Sequence, residues 1–291
     1  MSPLTTPSTR APVPPLPSPE SRTCPACGAR GLEASFEYFA PPAGETRFAS
    51  LSGVAYHRRY DRCPHCGHFV GTQIDAPALY TGEYVASTYG SRDGLRARFA
   101  AVAGLPPERS DNRARAERVH RFASARLGAS RRALLDIGAG LGVFPAAMRA
   151  MGWRCTALDP DPVATAHLRE DLGLETVHGL FDRSAVAGPF DLVTLNKVIE
   201  HVPDPVTLVR EALAVVAPGG CLYLEVPDGD AAMRDGPERE EFFVDHPHVF
   251  SPRSLAVVIE RAGAILGDEG RLCEPSGKFT CFAFAAPRTL A

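Results

Sequence analysis

One stretch, Leu134-Leu135-Asp136-Ile137-Gly138-Ala139-Gly140-Leu141-Gly142, constrains this chain more than any other. A short apolar run ends on a carboxylate, and three glycines then fall at alternate positions. Pro145, the run from Ala146 to Met151, and Gly152 read as a helix with its stop. A strand, a glycine turn and a helix in that order bring bare backbone and a helix N-terminus up to a ligand. Dinucleotide-binding enzymes use a similar turn, so the acidic residues decide what the ligand is. Asp136 stands two positions before the first glycine. A pyrophosphate would meet a like charge there, whereas an ammonium would gain a charge-assisted hydrogen bond. Asp159 follows the next apolar run, Trp153 to Leu158, where such sheets offer a carboxylate to ribose hydroxyls. An amine, a ribose and no phosphate together describe S-adenosylmethionine (SAM).

Further stretches follow in a recognisable order: Ala157-Leu158-Asp159-Pro160, Phe190-Asp191-Leu192-Val193-Thr194-Leu195, Val198-Ile199-Glu200-His201-Val202 and Ala217-Pro218-Gly219-Gly220. With Leu135 to Gly140, they make residues from about 110 to 286 resemble the class I SAM-dependent methyltransferases. The resemblance implies an α/β fold, a doubly wound Rossmann-like seven-stranded sheet with a closing antiparallel strand. It places the ligand crevice at the carboxyl ends of the first, second and fourth strands. It assigns Asp136, Gly138, Gly140, Gly142, Asp159 and Pro160 to the cofactor. Leu180 and Phe181 surround the adenine, and Asn196, with Lys197 beside it, holds the amino-acid end. The competing reading is a Rossmann-like domain with a different or inactive site.

Ahead of this domain, Cys24-Pro25-Ala26-Cys27-Gly28 and Cys63-Pro64-His65-Cys66-Gly67 write one pattern twice. Cysteines three positions apart can aim both sulfurs at one ion, and the glycine after the pair turns amides toward thiolate. Cys24, Cys27, Cys63 and Cys66 therefore supply the closed tetrahedral shell of a structural Zn²⁺. A hairpin of Phe36–Phe39 and Tyr56–Tyr60 would span the interval between the pairs. A redox or disulfide pair is the alternative. His57, His65 and His68 read as surface or supporting groups. Cys155, Cys221, Cys273 and Cys281 read as small buried apolar residues.

The organisation expected is a disordered Pro-rich leader (1–21), a zinc ribbon (22–74), a helical linker or lid (75–132) and the SAM-binding domain (133–291). Segments before the first sheet strand often fold over the cofactor in this family, which makes Tyr84 and Tyr89 lid candidates; Tyr80 belongs to the same segment. A helix is expected over 110–127, capped by Ser110 or Asp111 and stopped by Gly128. The arginines between Arg109 and Arg132 read as a solvated face, or as an anchor for an anionic substrate.

Acceptor chemistry is expected after strands four and five. Glu200 and His201 follow strand four. Relatives that methylate ubiquinone precursors or the 2′-hydroxyl of small RNAs resemble this stretch, but carry a glutamate where Lys197 stands. That glutamate and the Glu-His pair bind a divalent metal, so Lys197 breaks the pattern. In other members the Glu-His pair is bonded to backbone. The second cluster is Asp245-His246-Pro247-His248, beyond a charged loop from Asp228 to Phe243. His246 and His248 are near-neutral bases at the expected place, with His248 preferred.

A net charge of −3 and a pI near 6.3 argue against a chain that coats nucleic acid. No apolar run approaches the roughly 18 residues of a membrane helix. Eight cysteines without an apolar N-terminal signal point to a reducing cytoplasm. The function expected is methyl transfer to oxygen or carbon of a small molecule, such as a sugar or a natural-product or polysaccharide precursor. Nucleic acid and membrane are not expected partners. The alternatives are an RNA methyltransferase docked by its ribbon and a non-catalytic SAM-binding partner.

Overall fold

The computed structural model describes residues 16–51, 56–72, 83–128 and 130–288. The leader as far as residue 15, and Tyr80, lie outside the described residues. The N-terminal unit contains β1 (Glu33–Tyr38), β2 (Arg58–Arg62) and β3 (Phe69–Gly71), paired antiparallel in that order. Each Cys-Pro-X-Cys-Gly stretch forms a tight turn closed by a backbone bond, Gly28 N to Cys24 O at 2.8 Å and Gly67 N to Cys63 O at 2.9 Å. Both glycines adopt positive φ, which is why the pattern ends on glycine.

Three helices follow, α1 (Glu83–Tyr89), α2 (Arg92–Ala103) and α3 (Asp111–Leu127). Ser110 caps α3 by accepting from Arg113 N, and Gly128 ends it at φ 75°. The chain then alternates through β4 (Ala133–Ile137), α4 (Val143–Ala150), β5 (Arg154–Asp159), α5 (Pro162–Ala166), β6 (Glu175–His178), β7 (Phe190–Asn196), α6 (Pro205–Leu213) and β8 (Val216–Pro227). It closes with α7 (Gly229–Asp235), β9 (His248–Val249), α8 (Pro252–Arg261), β10 (Ala264–Cys273) and β11 (Phe279–Pro287). The large sheet has the order β10-β11-β8-β7-β4-β5-β6. β6, β5, β4, β7 and β8 are parallel to their neighbours, and β11 runs antiparallel to both β8 and β10. This is the expected doubly wound sheet with a closing antiparallel strand. The strand order reverses at β4, which puts the crevice between β4 and β7.

Alternate residues of the central strands face opposite layers, as the period of two requires. Leu134, Leu192, Cys221 and Tyr223 pack with α3 and α4, whereas Leu135, Val193, Leu195, Leu222 and Leu224 pack with α6 and α8. The second layer also contains Cys24, Ala26, Leu32, Cys63, Cys66 and Val70. The ribbon is therefore one core with the large domain rather than an appended module.

Helix α8 fixes this union from both ends. Its cap residue Ser251 donates to Cys66 O at 2.6 Å, and Arg261 in its last turn donates to the carbonyls of Pro25 and Ala26. Strand β9 joins β3 as the fourth strand of the ribbon sheet. No helix among the described residues is long and apolar enough to cross a membrane.

Several expectations need correcting. Pro218-Gly219-Gly220 lies within β8, where the register with β7 slips between Phe190 and Leu192. The segment from Asp228 is a helix rather than a loop, because the Asp228 side chain caps α7 at Ala231 N and is itself gripped by Arg271. Cys273 is exposed. The arginine face is not wholly solvated. Arg115 is buried and pairs with Glu225, which also accepts from Arg118 at 2.9 Å and from the Tyr223 hydroxyl at 2.7 Å. Replacing Glu225 with glutamine strands a buried guanidinium, and is expected to cost about 3–5 kcal/mol in urea unfolding. Glu117→Gln, at the exposed Arg113 pair, is expected to cost under about 1 kcal/mol.

Candidate active site

The tip of β4 carries Asp136, 2% exposed. Its Oδ1 accepts from the Thr194 hydroxyl at 2.6 Å and from Asn196 Nδ2 at 2.9 Å, both on the neighbouring strand β7. Burial is the main cause that pushes its pKa up to about 7, against the lowering effect of those two donors. Thr194 was not singled out from the sequence, although it stands opposite Asp136 in the β4–β7 register and strand alignment alone would have found it.

Asp159 ends β5, and its two oxygens accept from Gly140 N at 2.8 Å and Asp161 N at 2.9 Å. Burial raises it as well, to about 6. The first glycine after Asp136 is required by contact, since a Cβ on Gly138 would stand 2.6 Å from Val198 Cγ2. A Cβ on Gly140 would meet nothing within 4 Å. That open side, with buried carboxyls at Asp136 and Asp159, forms an acidic cleft suited to a ligand bearing an amine and hydroxyls.

The remaining expected cofactor positions differ in exposure and contacts. Leu180, beyond β6, is 72% exposed. Phe181 packs partly against the core. The Pro160 carbonyl accepts from His178 Nε2 at 3.2 Å. Lys197 is drawn elsewhere: its ammonium donates to Thr280 Oγ1 on β11 at 2.7 Å, and its backbone adopts φ 57°.

Tyr84 and Tyr89 lie on α1, 6.5 Å apart between ring centroids. Tyr89 joins the cluster of Leu141, Val163 and Ala164 beside the glycine turn. Burial raises the Tyr84 hydroxyl, and the carboxylates of Asp245 and Glu200 reinforce the shift. Phe48, from the ribbon loop between β1 and β2, stacks on Tyr84 at 6.3 Å and packs with Val244. Helix α1 thus reaches from the glycine turn to the residues after β7.

Those residues include Glu200 and His201. Val198, pressed on Gly138, precedes Glu200 and His201 by a short turn. Glu200 is fully buried, and neither of its carboxylate oxygens has a hydrogen-bond partner among the described residues. Burial raises its pKa. Ligand atoms of Glu200, His201 and His246 lie within 4.8 Å of one another. His201 Nδ1 meets Asp245 O at 2.7 Å, and His246 Nδ1 meets Glu241 O at 2.9 Å. Carbonyl partners at Nδ1 fix the Nδ1–H tautomer and leave Nε2 as the base or ligand.

His248 stands apart from this group. It is 4% exposed, stacks on His68 with Nδ1 3.2 Å from His68 Nε2, and faces the Val202 and Pro203 carbonyls. Burial pushes its pKa down to about 4. β9 pairs His248 with Val70 of the ribbon, whereas His246 lies with Glu200 and His201.

In the ribbon, Cys24 Sγ lies 3.6 Å from Cys66 Sγ, and Cys27 Sγ lies 3.6 Å from Cys63 Sγ. All four sulfurs fall within 4.8 Å of one another. Contact with Cys66, and then burial, hold the Cys24 thiol well above its ordinary value. Four sulfurs so crowded fit a tetrahedral dication, which would draw off their protons. His57 is bonded to Glu37 and stacked on Phe39, and His68 serves His248, so neither belongs to the sulfur group.

A family model described as a methyltransferase domain matches residues 108–265, slightly more than half the chain. A ubiquinone biosynthesis O-methyltransferase of Xanthomonas axonopodis pv. citri is 32% identical over 174 residues, covering 53% of this chain and 72% of that protein. Its counterpart in Xanthomonas oryzae pv. oryzae is 36% identical over 113 residues, and the chain spans only 46% of that protein's length. Among solved structures, a magnesium protoporphyrin IX methyltransferase from Synechocystis PCC 6803 with bound SAH matches 70% of this chain and 97% of its own at a TM-score of 0.53. Its sequence identity is 11%, a likeness of fold. Matched over its sheet, its glycine turn and the strand tips around them, the chain belongs to the methyltransferase domain family and is a class I SAM-dependent methyltransferase.

Proposed function

We propose that the protein transfers the methyl group of SAM to a hydroxyl oxygen of a small-molecule acceptor. The observation that carries this reading is the buried Glu200 carboxylate, without hydrogen-bond partners among the described residues, beside His201 and His246 and two positions beyond Val198, which packs on Gly138. The O-methyltransferase activity named for the Xanthomonas relatives agrees with it. The acidic balance of the chain and the use of ribbon surfaces by α8 and β9 support a small acceptor over RNA.

In this reading Asp136 receives the ammonium of SAM, Asp159 the ribose hydroxyls, and Leu180 with Phe181 the adenine. Asn196, already bonded to Asp136, borders the amino-acid end, and Tyr84 and Tyr89 close over the cofactor. The acceptor O–H lies against His246 Nε2. As the oxygen attacks the methyl carbon in line with the sulfur, the C–S bond breaks, the proton passes to the imidazole and neutral S-adenosylhomocysteine (SAH) leaves. Glu200 stabilises the imidazolium that forms. Desolvation under α1 and alignment of the two reactants supply the remainder. A structural Zn²⁺ in the four-cysteine ribbon completes the proposed protein.

The same three groups also fit a divalent cation. Glu200, His201 and His246 would hold it, with carbonyl-fixed tautomers and a carboxylate lacking other partners. When bound it would polarise the acceptor oxygen. Lys197 does not join the set, because its ammonium is bonded to Thr280.

Methyl-labelled SAM incubated with fractionated metabolite pools, with the label located by mass spectrometry, identifies the acceptor; transfer to an oxygen is expected, and label found in RNA would reject the reading. His246→Ala and Glu200→Gln are expected to slow turnover about 10²- to 10⁴-fold while leaving SAH affinity unchanged in calorimetry. Titrating Mg²⁺ or Mn²⁺ into chelator-treated protein then separates the two roles: restored turnover marks a metal site, and full turnover without metal marks His246 as the base.

The raised pKa of Asp136 gives a second test. Its carboxyl titrates near 3.9 in an unfolded chain and about 7 in the fold. The ligand-free protein therefore loses stability as pH rises from about 4 to about 7 and levels off above. SAH, whose ammonium requires the carboxylate, is expected to bind about tenfold tighter at pH 8 than at pH 6. Asp136→Asn should flatten that dependence.

A further inference from the structure

The loop that carries His246 is held on one side by the large domain, through His201 Nδ1 to Asp245 O and Phe279 N to Glu241 Oε1, and on the other by the ribbon. The Tyr60 hydroxyl on β2 donates to His246 O at 2.6 Å and approaches Phe243 O at 3.2 Å. Glu45, in the loop between β1 and β2, accepts from Val244 N at 2.7 Å through Oε1. The same oxygen takes Arg58 Nη2 at 2.8 Å, and Tyr56 donates to Oε2 at 2.5 Å. Gly71 N donates to Pro247 O at 2.9 Å, and Val70 pairs with His248 across β3 and β9. The Tyr38 hydroxyl reaches Pro237 O. From 237 to 249 the chain is thus stitched to β1, β2, β3 and the Glu45 loop.

On the cofactor side, the hydrogen bonds of Asp136 and Asp159 come from the large domain's own residues Thr194, Asn196, Gly140 and Asp161. The two halves of the site therefore have different foundations. The cofactor half is built by the alternating strands and helices, and the acceptor half leans in addition on a unit whose knuckles are Cys24–Gly28 and Cys63–Gly67. Tyr60 lies in the strand that ends one residue before Cys63, so the position of its ring follows from the knuckle.

We propose that the ribbon is the brace of the acceptor half-site, with Tyr60 the positioning residue that sets His246 opposite Glu200. It rests on the reading of Glu200, His201 and His246 as the acceptor side. A metal at Cys24, Cys27, Cys63 and Cys66 would then bear on acceptor geometry through β2 and Tyr60. Glu45 acts beside Tyr60 by fixing Val244, and Phe48 of the same loop closes on Tyr84, so the ribbon also forms one wall over the acceptor.

The full chain is compared by hydrogen–deuterium exchange, with bound zinc and after its removal by chelator, alongside Tyr60→Phe with zinc in place. Amides over 243–249 should exchange about five- to tenfold faster in Tyr60→Phe, and faster still without zinc, while those over 133–142 keep their protection in Tyr60→Phe. SAH affinity, measured by calorimetry, should be unchanged in Tyr60→Phe. The ring ¹⁵N signals of His246, which report its Nδ1–H tautomer, should shift or broaden in Tyr60→Phe while those of His120 stay fixed. Unaltered exchange over 243–249 in both samples overturns the brace. So does a loss of SAH affinity in Tyr60→Phe that parallels the loss of loop protection, because the ribbon would then stabilise the whole fold alike. Failure of the wild-type protein to bind SAH at all would instead sink the proposed function, which keeps the two failures distinct.

Discussion

A carboxyl group buried at the tip of the central strand sets the terms for the rest of this molecule. Placing Asp136 at 2% exposure costs several kcal/mol if it is charged and unpaired. Two neutral donors on β7 offset only part of that cost, and the group titrates near 7 rather than near 4. The ligand-free cleft is thus a site waiting for a cation. SAM brings an ammonium and a sulfonium, and SAH leaves with the sulfonium charge spent. A second buried carboxyl at Asp159 deepens the same demand and ties the glycine turn to β5 through Gly140 N. Sheet order, turn and helix placement all serve to bring these two acids to one opening.

The acceptor side answers to a different physical problem. A nucleophile must be deprotonated or polarised at a fixed distance from the methyl carbon, and small displacements there are expensive. Loops after strands normally form such pockets and are normally mobile. Here the loop after β8 is withdrawn from that rule, since residues 248–249 become a strand of the ribbon sheet and Tyr60 and Glu45 bond to its carbonyl and amide groups. Part of that order comes from a neighbouring unit in which four sulfurs converge within 4.8 Å of one another.

What the sequence made legible follows from the range of the interactions involved. Glycine spacing, strand-end acids and the paired Cys-Pro-X-Cys-Gly stretches are local patterns, and each appears in the structure where the pattern implied. Asp228 capping α7 was also local, but its Asp-Gly-Asp context reads equally as a turn. The choice between His246 and His248 was not local. Two residues apart and chemically identical, they are separated only by β9 pairing with β3, a contact between positions nearly two hundred residues apart in sequence. Arg115 likewise looks like one of many surface arginines until β8 presents Glu225 to it.

The union of ribbon and large domain bears directly on what the cysteine unit is for. A tethered docking module keeps its own faces free for a partner and joins its enzyme through a linker. This one spends its inner face on the core it shares with α8 and its β3 edge on β9. Its two knuckle carbonyl sets receive Ser251 and Arg261. The backbone amide of His248 in turn donates to Glu200 O at 3.2 Å, so the strand that completes the ribbon sheet also touches the residue whose carboxylate lacks a partner. Recruitment of nucleic acid would have to use surfaces the ribbon has left over.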